Sequence, residues 1–348
     1  MSGQDARTVG FACCYVPEEI IMAAGLRARR IIPKGQGSEA NVRIHPNTCC
    51  YVKSMLADAL AGAYADMEAV VLANSCDAMR KLHDLWNAYV KRPVSLFLDI
   101  PKKRDAGAEA FFTSECTRLA SRIGNLPHGS PVTKEGLCAA ISRMNELRTA
   151  WAGLFKALSG QGNGKRAADV FALMLDGSGL GPADQASRIK GLLQSPGSEL
   201  RQQRGMRILV AGNILNSPVP VSLIEDAGGA IVGFDTCFGR RHYETLTEEG
   251  GRDPFEALAR RYLQRPPCAR MMGTLDQVRE LGKAMEETAA QGVIIGAVKF
   301  CDNFTYGIPL LKDAVQAAGA ACLVLENDYE WSDPEKARIK IEAFLEMH

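Results

Sequence analysis

Short runs rich in Val, Ile, Leu and Ala alternate with helix-period stretches at both ends of this chain, and that alternation restricts the fold more than any other feature. Strands separated by helices call for parallel sheets covered by helices. The N-terminal strand candidates are Thr8–Ala12, Ala69–Ala73 and Val94–Leu98, with helices such as Glu18–Ala28 and Lys53–Ala63 between them. From Thr133 to about Gln203 the pattern turns helical, opening on a long segment, Thr133–Leu158, whose Thr and nearby Glu135 suit a helix start. Arg207–Gly212, Ala230–Phe234, Val293–Val298 and Ala321–Leu325 then read as strands of a second unit, closed by a helix over Pro334–Glu346. The expected architecture is α/β: two parallel-sheet lobes, residues 1–130 and 206–348, joined by a helical middle, residues 131–205.

Composition narrows the chemistry. With 348 residues, 47% hydrophobic content and a formal charge of +1, the chain suits a soluble protein with well-developed cores. Its 41 basic and 40 acidic residues balance, which argues against a nucleic-acid or membrane-surface partner. Arg27, Arg29 and Arg30 are expected on a solvated helix face. Neither a signal-like h-region nor a stretch of ~20 apolar residues is present, so a cytoplasmic location is expected. Eleven cysteines are many for that compartment, where disulfides rarely persist, and an odd number cannot all pair. Metal or redox chemistry is the better expectation. The stretch GQGNGK, residues 160–165, lacks the Walker spacing and the following Ser or Thr, and it follows a helix where a strand is required.

Four cysteines lie just past a strand candidate and before a helix candidate: Cys13, Cys76, Cys237 and Cys301. In an open α/β sheet that is the carboxyl edge, where ligands bind. Helix N-termini there favour anions, thiolates included. Cys49 and Cys268 occupy similar loop-to-helix positions, so the six divide three and three between the lobes. Three thiolates hold a [4Fe–4S] cubane with one iron left for another ligand. Two trios suit two cubanes or one fused cluster, and no short Cys-x-x-Cys pair points to zinc. Cys116, Cys138 and Cys322 are expected to pack in the core, Cys138 falling inside a helix pattern and Cys322 inside an apolar strand.

The segments CCYVPEEIIMAAGLRARR, NTCCYVKS, SCDAMRKLHDLW, FDTCFGRRHYE, ARRYLQRPPCARM, KFCDNFTYGIPLLKD and LENDYEWSDPEKARIKIEAFLEM run in order from Cys13 to the C-terminus. Together they resemble the 2-hydroxyacyl-CoA dehydratase and benzoyl-CoA reductase superfamily, and within it the double-cubane cluster proteins. The resemblance implies a pair of Rossmann-like or flavodoxin-like lobes with an iron–sulfur cluster in the cleft between them, usually in a homodimer. It carries the ligands over to Cys13, Cys49, Cys76, Cys237, Cys268 and Cys301, and the full set of six favours a double-cubane [8Fe–9S] cluster over a single [4Fe–4S]. It also implies a separate dimeric ATPase activator with its own [4Fe–4S] cluster, which supplies electrons at very low potential. Three positions depart from the family pattern: Cys14 and Cys50, each able to exchange with its neighbour, and Phe238, where a small hydroxyl residue is common.

The expected activity is accordingly an oxygen-sensitive reduction of a small molecule at the cluster. Glu19 and His45 are the candidate acid–base residues, with Asp77, Arg80 and Asp302 also next to candidate ligands. Glu19 and Asp77 equally suit the start of a helix. Two other readings remain open here: a 2-hydroxyacyl-CoA dehydratase subunit with one [4Fe–4S] cluster, and an electron relay without turnover.

Overall fold

Ala69–Ala73 is apolar and fully buried along its whole length, as a strand covered on both faces must be. It is one of eight strands in the computed structural model, which describes residues 7–35, 40, 43–160, 166–195 and 205–348. The first sheet contains β1 (Thr8–Phe11), β2 (Arg27–Arg30), β3 (Ala69–Ala73) and β4 (Val94–Leu98), in the order β2-β1-β3-β4, all parallel. The second contains β5 (Arg207–Gly212), β6 (Ala230–Asp235), β7 (Gly292–Val298) and β8 (Ala321–Asn327), in the order β6-β5-β7-β8, again all parallel. The expected α/β fold with two parallel-sheet lobes is thus what the chain forms.

Each sheet is wrapped by its connecting helices. α1 (Glu18–Ala23), α2 (Cys50–Leu60), α3 (Asp77–Tyr89) and α4 (Ala106–Gly124) belong to the first. α5 (Lys134–Ser159), α6 (Ala167–Gly177) and α7 (Pro182–Gln194) form the helical stretch. α8 (Val219–Asp226), α9 (Arg240–Tyr243), α10 (Pro254–Gln264), α11 (Thr274–Thr288), α12 (Asp302–Thr305), α13 (Ile308–Ala317) and α14 (Pro334–Glu346) complete the chain. The capping role expected of Thr133 is realised, since its Oγ1 accepts from the Gly136 amide at 3.0 Å. No described helix is long and apolar enough to cross a membrane.

One expectation changes. The helix proposed over Glu18–Ala28 stops at Ala23, because Gly25 turns the chain with φ +78°, and the basic residues after it form β2. Arg27, Arg29 and Arg30 therefore lie in a strand paired with β1, and Arg30 is only 5% exposed. Contacts divide the chain into one unit of Met1–Leu147, Ser178–Ala183 and Thr245–Arg265, and another of Arg148–Gly177, Asp184–Glu244 and Pro266–His348. In the first unit, Asn145 of α5 exchanges two hydrogen bonds with Thr247 (2.7 and 2.9 Å), holding the segment that leads to α10. In the second, the buried Glu225 carboxylate accepts from the Ala167 and Ala168 amides at 2.8 and 3.1 Å, capping α6. The stretch 161–165, with most of the GQGNGK sequence, lies outside the described residues.

Candidate functional site

Parallel strands all end at one edge, and a helix that returns from that edge must start there. In the first unit Cys13 follows β1, and Cys76 follows β3. Cys49 is the N-cap of α2, the helix that leads into β3. All three consequently stand at the carboxyl edge. β1 and β3 are neighbours while β2 lies on the other side of β1, so Cys13 and Cys76 flank the topological switch point of this sheet. Tyr51 joins two of the loops directly: from the first turn of α2 its hydroxyl donates to the Ala12 carbonyl at 3.2 Å. Cys76 caps α3, its Sγ accepting from the Met79 amide at 3.4 Å.

Adjacent to Cys13, Cys14 points the other way. It is 3% exposed, and the buried Arg265 guanidinium donates to its Sγ at 2.8 Å and to its carbonyl at 2.9 Å. The same guanidinium lies 3.8 Å from the centre of the Tyr15 ring. Glu19 is fully buried, and its Oε2 accepts from the Tyr262 hydroxyl at 2.9 Å, which anchors α1 to α10. His45 is exposed, and its Nδ1 accepts from the Asn47 amide at 3.1 Å in the loop before Cys49. Asp77 and Arg80 pair with one another on the exposed face of α3, and Asp302 is exposed on α12.

The second unit repeats the arrangement with a shift of one strand. Cys237 follows β6, Cys301 follows β7 as the N-cap of α12, and Cys268 lies in the loop before α11, the helix that leads into β7. After β5, where the first unit has Cys13, stands Asn213. Its carbonyl accepts from the Cys237 amide and its Oδ1 from the Val298 amide, both at 3.4 Å, so it ties two cysteine-bearing loops together. Gly212 before it cannot be replaced freely: at φ +154° an added Cβ would come within 2.4 Å of the Gly296 carbonyl oxygen.

A buried arginine lies near two of these three cysteines. Arg241 donates from Nε and Nη2 to the two oxygens of Asp235 at 2.9 and 2.7 Å, and from Nη1 to the Gly212 carbonyl at 3.2 Å. Burial pushes the Arg241 pKa down, but Asp235 and the thiols of Cys268 and Cys237 outweigh it and hold the pKa above the ordinary arginine value. Asp235 is held below the usual carboxylate range, the Arg241 charge overriding the opposing effect of burial. The field of one guanidinium thus reaches two cysteines of the trio.

Of the cysteines expected in the core, Cys116 is fully buried, Cys322 partly so, and Cys138 is exposed. Cys138 belongs to α5 but on its outward face, beside Glu248 and Glu249. Arg241, Arg265, Tyr51 and Asn213 were not legible as site residues. Arg and Tyr are so commonly surface residues that no spacing marks the one that turns inward.

Against known proteins, residues 13–348 match the sequence model of the family described as 2-hydroxyglutaryl-CoA dehydratase, D-component. The chain belongs to that family. Relatives within the wider superfamily are similar over nearly the whole chain. The (R)-phenyllactyl-CoA dehydratase beta subunit of Clostridium sporogenes is 25% identical, covering 99% of this chain and 92% of the relative. One of the subunits of the benzoyl-CoA reductase of Thauera aromatica is 26% identical, covering 88% and 82%. The (R)-2-hydroxyglutaryl-CoA dehydratase subunit beta of Acidaminococcus fermentans is 23% identical, covering 99% and 93%. These relatives are component subunits of dehydratases and of a reductase.

Proposed function

We propose that this chain is the iron–sulfur component of a cytoplasmic reductase, with a double-cubane [8Fe–9S] cluster ligated by Cys13, Cys49, Cys76, Cys237, Cys268 and Cys301. The observation that carries this reading is the second trio: both parallel sheets, not one, present three cysteines at the carboxyl edge. Three soft thiolates are the donor set of a cubane with one iron left over. Among the described residues no three His, Cys, Asp or Glu side chains converge on a single ion. A cluster asks for something different, because each thiolate binds its own iron and the ligands stand farther apart than around one zinc. The N-terminal amides of α2 and α3 and the buried Arg241 all favour an anionic group at these edges. When bound, the cluster supplies low-potential electrons to a small substrate.

The chain's own residues hold the ligand loops, compensate negative charge and handle protons. His45, exposed and close in sequence to Cys49, is suited to exchange protons with solvent, whereas the buried Glu19 is suited to holding α1 against Tyr262. A separate dimeric ATPase carrying a [4Fe–4S] cluster is the proposed electron donor, and a homodimer the proposed assembly. The naming of the relatives as subunits supports a multicomponent enzyme. A second reading is favoured by the relatives named as dehydratases: one subunit of a 2-hydroxyacyl-CoA dehydratase with a single [4Fe–4S] cluster.

Iron and acid-labile sulfide, measured on protein purified without oxygen, decide between the two. About eight irons and nine sulfides per chain are expected for two linked cubanes on three-thiolate sites. About four of each would transfer the chain to the dehydratase reading, and no iron would end both.

A further inference from the structure

The Cys13–Cys14 pair offers two thiols in consecutive positions, and the surroundings of the two differ. Cys13 is partly exposed at the end of β1 in a turn closed by the Val16 amide donating to its carbonyl at 3.0 Å. Cys14 is buried and gripped by one side chain at two points, its thiol and its carbonyl. The grip is built from outside the loop. Arg265 caps the C-terminus of α10, its amide donating to the Arg261 carbonyl at 3.2 Å, and the proline that follows restricts its backbone to an extended conformation. Its guanidinium lies against two aromatic rings, with the centre of Tyr15 at 3.8 Å and that of Tyr262 at 5.8 Å from Cζ. Tyr262 is in turn fixed by Glu19. Only a planar fork can serve sulfur and carbonyl oxygen together while stacking on a ring, which is why the position calls for Arg rather than Lys.

We infer that Arg265 is a positioning residue that selects the ligand in this pair, withdrawing Cys14 as a hydrogen-bond acceptor and leaving Cys13 to bind iron. The inference rests on the cluster reading above and adds to it the residue that enforces the choice. Turning the Cys14 side chain outward would break the hydrogen bond from the buried Arg265 guanidinium to its sulfur, whereas Cys13 already stands partly exposed at the end of β1. The selection is therefore made by a side chain 251 positions away in sequence.

The test combines iron content with thiol reactivity. In full-length protein purified without oxygen, Cys14→Ala is expected to keep the wild-type iron content and electron paramagnetic resonance spectrum. Cys13→Ala is expected to lose iron, and Cys13→Ala/Arg265→Met to regain part of it with an altered spectrum, as Cys14 is released. In iron-free protein, iodoacetamide labelling followed by mass spectrometry across a range of pH gives the rate constant of the Cys14 thiolate, which should be at least about tenfold larger in Arg265→Met than in wild type, the equivalent of one lost charged hydrogen bond. Arg265→Lys, which keeps the charge but not the fork, is expected to do the same and serves if Arg265→Met does not fold. Iron lost on Cys14→Ala but retained on Cys13→Ala overturns the inference. So does Cys14 labelling that is indifferent to Arg265. Wild-type protein without iron defeats the cluster reading and the ligand choice with it, while the labelling still reports on the clamp alone.

Discussion

Cys116 and Cys138 are the same residue type in two helices, and they meet opposite surroundings. Cys116 of α4 is fully buried, and burial, with Glu19 and Glu115 nearby, pushes its thiol pKa far up. In the unfolded chain the thiol ionises near pH 8.5. Because the folded pKa is raised, the contribution is complete below that pH and is lost as pH rises above it, where the unfolded state has released a proton that the folded state still holds. Urea unfolding of iron-free protein between pH 8 and 10 should therefore show stability falling by up to about 1.4 kcal/mol per pH unit from this residue. In Cys116→Ala that part of the decline is expected to vanish, and an unchanged slope would refute the assignment. Cys138 instead lies on the side of α5 that faces outward. The neighbouring arginines Arg240 and Arg241 likewise take different partners. The first pairs with Glu244 at the end of a short helix, and the second turns inward to Asp235. Nothing in the dipeptide itself says which will do so.

At the scale of elements, caps and edges decide more than propensity. α3 begins on Cys76, whose thiol takes the place that Ser, Thr or Asp usually fills at a helix start. In iron-free protein Cys76→Ser is expected to melt like wild type, while Cys76→Ala should lose about 1 kcal/mol, a typical value for a lost N-cap. Equal melting of the two variants would show that the sulfur does no capping. Iron is expected to fall in Cys76→Ala whatever its stability, so the ligand and capping roles separate. The helix–strand boundary at Gly25 shows the limit of pattern reading. Arg27–Arg30 carries the charge of a solvated helix, yet pairs as an edge strand because β1 offers it a free ladder and Gly25 supplies the reversal.

For the molecule as a whole, two sheets of identical strand order repeat one topology, and each has its own apolar interior. In the second, Leu209, Val293 and Ile295 of the strands pack with Leu281 and Met285 of α11 and Leu311 and Val315 of α13. The candidate ligands occupy loops at the sheet edges and not these cores. Removing iron by chelation under oxidising conditions is therefore expected to leave the far-UV circular dichroism nearly unchanged, unlike a zinc finger, which unfolds without its metal. Collapse of the helical signal on chelation would mean that the cluster organises the fold.

Much of this was determined by sequence alone. Strand–helix alternation dictates parallel sheets, because each apolar run must be buried on both faces, and it located Ala69–Ala73, Val94–Leu98 and Arg207–Gly212 to the residue. The same alternation put six cysteines after strands or before helices, which is already the carboxyl edge. Tertiary structure alone decided which arginines turn inward, that Cys14 is clamped and Cys138 exposed, and that Thr245–Arg265 joins the first unit. Those outcomes depend on partners far apart in sequence, such as Arg265 with Cys14 or Asn145 with Thr247, and local periodicity carries no record of such a partner.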